Sequence, residues 1–316
     1  MEVARHGAMK HAPRVVRPAH PAPGTTLRWV TALVLCAVAG LGDPDPVWAQ
    51  ASNATLEQYL SRIGIDARDR ANAARGRAVA KLLPTKDNRD VTVFGIVGVN
   101  IPRDTAVARV LDIQQFLAAR GIRAHPFGNP PSPADVSEAT FAEGEYRGLR
   151  NCRPTDCDYK LSASQMREFI EGVDWSARDA KGQADARLRD DLLALAADYT
   201  KRGNAALPTY DDGRNVNSAD AFAALLAESS DFSPPAPELL RYVATYPAER
   251  PEGAHDFLYW SEDRLPHLRP TLTVNHAVVY VPPANSAGAV FALRKQLYAT
   301  HYFEGALELL AMVDGG

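Results

Sequence analysis

The chain has little of what usually identifies an enzyme. Three cysteines occur in 316 residues, Cys36, Cys152 and Cys157. That is too few for a disulfide-dense scaffold or a four-thiolate zinc site. No Gly-x-Ser-x-Gly nucleophile elbow, His-Glu-x-x-His pair or Gly-x-x-x-x-Gly-Lys-Ser/Thr phosphate loop is present. The glycines of "GIVG" (Gly95 to Gly98) fall inside a β-branched run, so they cannot seat a phosphate at a helix N-terminus. "DDGRNVNSAD" (Asp211 to Asp220) has Gly213 and Val216 where a calcium loop needs an oxygen ligand and a glycine. Basic excess is also missing. Lys and Arg number 35 against 38 Asp and Glu, a formal charge of −3 without a basic run, which argues against a nucleic-acid partner. No internal repeat and no second long apolar run occur.

One apolar run is present, at the N-terminus. Arg5, Lys10, Arg14, Arg17 and Arg28 precede "WVTALVLCAVAGLG" (Trp29 to Gly42). Small residues follow at Val47-Trp48-Ala49 and Ala49-Gln50-Ala51. A basic segment, a short apolar segment and a small-residue site are the pattern of a secretory signal peptide. The run falls short of the roughly 18 residues that a membrane span needs. Leu35 stands before Cys36 where a lipoprotein signal requires a small residue. The expectation is a signal peptide over residues 1–51 and one exported domain over 52–316, periplasmic or extracellular, with no stable span after cleavage.

In such a mature chain Cys152 and Cys157 are left alone, and an even count in an exported protein favours a disulfide. Four residues, Arg-Pro-Thr-Asp, separate them, whereas a redox dithiol usually has two. A zinc site would need two further ligands nearby. Antiparallel strands on either side of the turn would bring the two cysteines within disulfide reach.

Local patterns alternate between sheet and helix. "GRAVAKLL" and "DVTVFGIVGVNIP" suggest a hairpin, with Val91, Val93, Val97, Val99 and Ile101 on one face. Pro102 opens a helix to about Ala119 that Gly121 terminates. Thr55 with Gln58, and Ser162 with Gln165, are spaced as capping boxes. "ATFAEGEYRGL" and "CDYKL" are expected to be short strands. Residues 183–202 place Leu188, Leu192, Leu195, Ala196 and Tyr199 on one helical stripe ending at Gly203, and two more helices follow. "DFLYWSE", "TLTVNHAVVYV" and the final segment around "LYATHYF" return to strand. The whole is α+β, a curved antiparallel sheet with a helical insertion over about 162–246.

Functional residue types gather only in the last third: His255, Tyr259, Trp260, Glu262, His276, Tyr298, His301 and Tyr302. His276 shares a strand face with Leu272, Val274 and Val278, pointing to the core or to a cavity. Three readings stay open: a hydrogen-bonded core histidine, an aromatic-lined ligand pocket, and a metal or acid–base site built from His276, His301 and Glu262.

Two resemblances bear on the choice. "CRPTDCDYKLSA", "FLYWSED" and "KQLYATHYFEGALELL" resemble elements of an uncharacterised family of exported bacterial proteins. Residues 76–116 are similar in layout to the opening of START-like helix-grip domains, with Asp112 on the first helix. The second likeness implies an apolar cavity for a lipid or hydrophobic small molecule, here lined by Tyr259, Trp260, His276, Tyr298, His301 and Tyr302. No metal and no cofactor are expected. The competing expectations are an envelope hydrolase or metal-dependent enzyme using His276, His301 and Glu262, and an interaction protein with no small ligand.

Overall fold

A computed structural model of the chain describes residues 27–38, 57–213, 215–229, 236–283 and 289–314. The sheet strands are β1 (Leu27–Val38), β2 (Val79–Leu83), β3 (Asp90–Val99), β4 (Arg123–Pro126), β7 (Ala254–Asp263), β8 (Thr271–Tyr280), β9 (Val290–Ala299) and β10 (Phe303–Asp314). They lie in the order β2-β3-β1-β10-β9-β8-β7-β4. A separate two-stranded ribbon pairs β5 (Thr209–Tyr210) with β6 (Val216–Asn217). The β10-β9-β8-β7-β4 portion is antiparallel throughout. The protein is α+β, as the pattern of elements predicts.

The sheet is not wholly antiparallel. Residues Leu27–Val38, which include the first part of the apolar run that resembles a signal-peptide core, form β1, parallel to both β3 and β10. Strand β1 joins the β2–β3 hairpin to the rest of the sheet. The proposed cleavage sites at Ala49 and Ala51, like Thr55 of the first capping box, fall outside the described residues.

Helices cover both faces. On one side lie α5 (Ala163–Gly172), α6 (Ala180–Arg202), α7 (Ser218–Ser229) and α8 (Pro237–Thr245). This block is inserted between β4 and β7, which pair directly with each other. In α6, Leu188, Leu192, Ala196 and Tyr199 recur at helical spacing and are buried against Leu258, Trp260, Leu272 and Val274 of the sheet. Phe222 and Leu225 of α7 and Leu239 and Val243 of α8 pack on Val278, Leu293 and Leu307. The opposite face carries α3 (Arg103–Leu111) and α4 (Ile113–Ala118), against Val279, Ala292, Ala277 and Tyr259. Residues 57–62 (α1) and Ala67–Ala74 (α2) are also helical, the latter beside β3.

Several local expectations are corrected. The helix after Pro102 breaks at Asp112, whose side chain caps α4 by accepting from the Gln115 N–H at 3.2 Å. Within β3 the more deeply buried parity is Asp90, Thr92, Phe94 and Ile96, because Phe94 and Ile96 pack into the core with α7 and α8 while Val91, Val93 and Val97 are half-buried. Residues Glu145–Asn151 form a 3₁₀ helix in place of a strand, so no paired strands flank the cysteines. Cys152 and Cys157 are nonetheless bonded, across a tight turn closed by the Arg153–Asp156 bridge, with Cα atoms 4.5 Å apart. The second capping box is present. Ser162 accepts from the Gln165 N–H while Gln165 Oε1 accepts from the Ser162 N–H at 3.0 Å.

Gly203 fixes how the helical layer meets its own return. It ends α6 at φ +55°, and the Tyr246 carbonyl occupies the space that a Cβ would need. This approach brings Asn204 and Tyr246 to one place above β8 and β9.

Candidate functional sites

The six expected pocket residues do not line one cavity. Trp260 and His276 point to the α5–α8 side, whereas Tyr259 points to the opposite face beside Ile113, Ala124 and Ala277. Alternation along β7 makes this unavoidable, since neighbouring residues of a strand face opposite ways. Trp260 is consumed by packing and donates Nε1–H to the Asp135 carbonyl at 2.7 Å. Tyr298 is buried beside Tyr210, ring centroids 6.3 Å apart. His301 and Tyr302 lie in the turn between β9 and β10, and the Tyr302 hydroxyl accepts from the Arg269 N–H at 3.0 Å.

His276 belongs to a buried polar chain. Its Nε2 is 3.2 Å from Asp256 Oδ2 and its Nδ1 is 3.1 Å from the Tyr199 hydroxyl. Because the carboxylate can only accept, Nε2 carries the proton and Nδ1 accepts from Tyr199. The Tyr199 oxygen in turn accepts from Lys295 Nζ at 3.3 Å. Lys295 also donates to Asn204 Oδ1 and sits 3.7 Å from the Phe222 ring centroid. His276 and Lys295 are neighbours across the β8–β9 pair, which places both under α6. Asp256 is further held by Arg250 at 2.9 Å.

The electrostatics follow from burial. Lys295 is wholly enclosed, and burial lowers its ammonium pKa to about 7. Burial likewise lowers that of His276 against the opposing pull of Asp256. For Asp256, burial raises the pKa but is outweighed by hydrogen bonds from His276 and Arg250, which hold it at about 2. The chain at neutral pH is therefore a carboxylate, a neutral imidazole, a phenol and a lysine close to losing its charge.

His301 lies in a different setting. A narrow recess with room for about one water-sized group, about 10 Å³, is walled by Phe141, Glu145, Glu262, Leu272, Thr300 and His301. Glu262 is occupied: Arg123 Nε and Arg264 Nε donate to its two oxygens at 2.9 and 2.8 Å. Burial raises its pKa, but those two guanidiniums more than compensate and leave it lowered. His301 donates Nδ1–H to the Asp158 carbonyl at 2.8 Å and is pushed down to about 4 by burial. Its Nε2 is thus a lone pair, 3.7 Å from Glu145 Oε2. Glu145 Oε2 has no hydrogen-bond partner, with only Arg269 Nη1 at 3.7 Å besides the imidazole. One buried oxygen without a hydrogen-bond partner thus faces the His301 lone pair at the recess.

The metal reading is not assembled. His276 is tied to Asp256 and Tyr199, His301 to Asp158, and among the described residues no group of three His, Cys, Asp or Glu is placed to hold an ion. Nor, among the described residues, is any helix long and apolar enough to cross a membrane.

Sequence reasoning brought His276, His301 and Glu262 forward but passed over Asp256, Lys295, Asn204 and Glu145. A signal existed for Lys295. It interrupts the apolar parity Phe291, Leu293 in β9, and a lysine at a core position needs a partner. Comparison with protein-family models, curated proteins and solved structures finds no match to this chain.

Proposed function

We propose that this is an exported, non-catalytic protein that binds a small molecule in the recess between Glu145 and His301. The observation that carries the reading is Glu145 Oε2, a buried oxygen without a hydrogen-bond partner, facing the His301 Nε2 lone pair beside Phe141 and Leu272. An unmet buried acceptor costs about 1–3 kcal/mol, which a ligand donor recovers. A ligand that fits inserts one N–H or O–H donor group and rests its small apolar part at the mouth. The recess has room for about one water-sized group, about 10 Å³, far below the roughly 300–1,000 Å³ of an enclosing ligand pocket, so it can seat a single donor head group and no acyl chain. The hydrophobic ligand suggested by the START-like layout of residues 76–116 therefore narrows to a compact amphiphile, with primary amines as the first class to test.

Non-catalytic action is supported by the enclosure of His276, Lys295 and Tyr199, none of which borders the recess. Export is supported by the N-terminal pattern and by the Cys152–Cys157 bond, which suits an oxidising compartment. The test is a thermal-shift screen with small alkylammonium and arylammonium ions. A concentration-dependent rise in Tm that Glu145→Gln abolishes supports the reading; no rise with any of them refutes it.

A further inference from the structure

We propose that Lys295 and Asn204 join covalently, through an intramolecular isopeptide bond between Nζ and the side-chain carbonyl carbon. The two groups are in direct contact, Nζ donating to Asn204 Oδ1, although 91 positions separate them in the chain. Three further features suit the reaction. The amine is excluded from water, with the Phe222 ring 3.7 Å from Nζ. Asn204 is fixed by donating Nδ2–H to the Ala244 carbonyl at 2.7 Å, which holds the leaving nitrogen away from the incoming one. A base is at hand: Tyr199 oxygen is 3.3 Å from Nζ and is backed by His276 and Asp256.

The step balances without any co-reactant. The neutral Nζ lone pair attacks the Asn204 amide carbon to give a tetrahedral adduct. One Nζ proton passes to the Tyr199 oxygen as the Tyr199 proton moves to His276 Nδ1, where the imidazolium is stabilised by Asp256. The proton then returns from His276 through Tyr199 to the tetrahedral adduct, where Nδ2, bonded to the same carbon as Nζ, takes it up as its hydrogen bond to the Ala244 carbonyl is released; the carbon–Nδ2 bond breaks, and ammonia leaves. An amine and a primary amide become a secondary amide and ammonia, with no change in oxidation state. Burial lowers the lysine pKa to about 7, so the nucleophilic form is populated at neutral pH. Tyr199, His276 and Asp256 serve as positioning and proton-relay residues. The proposal is independent of the ligand reading of the recess.

The full chain, purified and reduced, is mapped by tryptic mass spectrometry. The expected product is one branched species joining the peptide Gly203 to Arg214, "GNAALPTYDDGR", to a peptide that begins at Lys295 and is uncleaved after it. It is about 17 Da lighter than the sum of its parts, the mass of ammonia. The peptide map decides, because an N-terminal Gln50 would lose the same mass by cyclisation. Lys295→Met is expected to give two separate peptides, and Tyr199→Phe to slow linkage at least tenfold in protein whose circular dichroism is unchanged. Recovery from wild-type protein of free Gly203–Arg214 and of a C-terminal peptide starting at Gln296 overturns the proposal, and wild-type protein suffices for that result. Linkage in Tyr199→Phe at the wild-type rate overturns the relay.

Discussion

His276 Nε2 lies 3.2 Å from Asp256 Oδ2, a histidine and an aspartate paired beneath the helical layer. The pair connects β7, β8 and, through Tyr199, α6. Its geometry is that of an acid–base relay, yet it faces the core. The first expectation concerns stability. His276→Ala leaves Tyr199 without its acceptor and takes one donor from Asp256, which keeps Arg250, so unfolding free energy should fall by roughly 3 kcal/mol. Urea titration by fluorescence measures this. A change within 0.5 kcal/mol, the level of an ordinary surface substitution, would show that the network contributes nothing.

Acid should withdraw the contribution that His301 makes to the fold. His301 is held down to about 4 in the folded chain against 6.5 when free. Between those values the unfolded state binds more protons, so its contribution is complete above 6.5 and is lost as pH falls towards 4. The stake is about 3 kcal/mol for this almost fully buried ring. Lys295 acts in the same sense at higher pH, its contribution growing from about 7 towards 10.5 in any molecules that remain unlinked. Asp191, raised to about 6 by burial, titrates in the same window with the opposite sign, so the His301 contribution is read as a difference: between pH 4.5 and 6 the denaturation midpoint should rise less in His301→Gln than in wild type. A His301→Gln profile parallel to wild type would count against the assignment.

Reduction of Cys152–Cys157 should cost little. The loop closed has a sequence separation of 5, for which chain entropy gives only about 2 kcal/mol. The fold should survive dithiothreitol with a lower urea midpoint. Complete unfolding on reduction would mean that the bond holds far more than its own turn.

How much of this was legible in advance depends on whether the deciding contacts are local. The α5 capping box, the stripe of α6 and the alternation of β8 are written within a few residues, and each appears where its spacing places it. The interrupted helix at Asp112 is local too, but an aspartate that caps and an aspartate that simply faces solvent look alike in sequence. The pocket failed for another reason. Tyr259 and Trp260 are adjacent and were grouped by composition, although a strand must send them to opposite faces. Asp256, Tyr199, Lys295 and Asn204 come from four elements brought together only by the packing of α6 over the sheet, and no spacing rule unites them.

The N-terminus supplies a sharper expectation. An exported mature chain should begin at or near Gln50 or Ser52, as read by Edman sequencing of protein released by osmotic shock. Such a chain lacks β1, so the facing edges of β3 and β10 should exchange amide hydrogens faster than in the uncleaved chain. A natural N-terminus upstream of Leu27 would instead make the apolar run a permanent strand of the sheet, and the export reading would fail.

The most direct test of the central claim is a thermal-shift titration of wild-type protein and of Glu145→Gln with ethylammonium and benzylammonium, with ethanol as the hydroxyl-bearing probe. The account predicts a saturable rise of about 2–4 °C in Tm for at least one ammonium ion on wild-type protein. It predicts no rise on Glu145→Gln. Equal shifts in the two proteins would contradict the site, and no shift with any of the three compounds would contradict small-molecule binding at the recess.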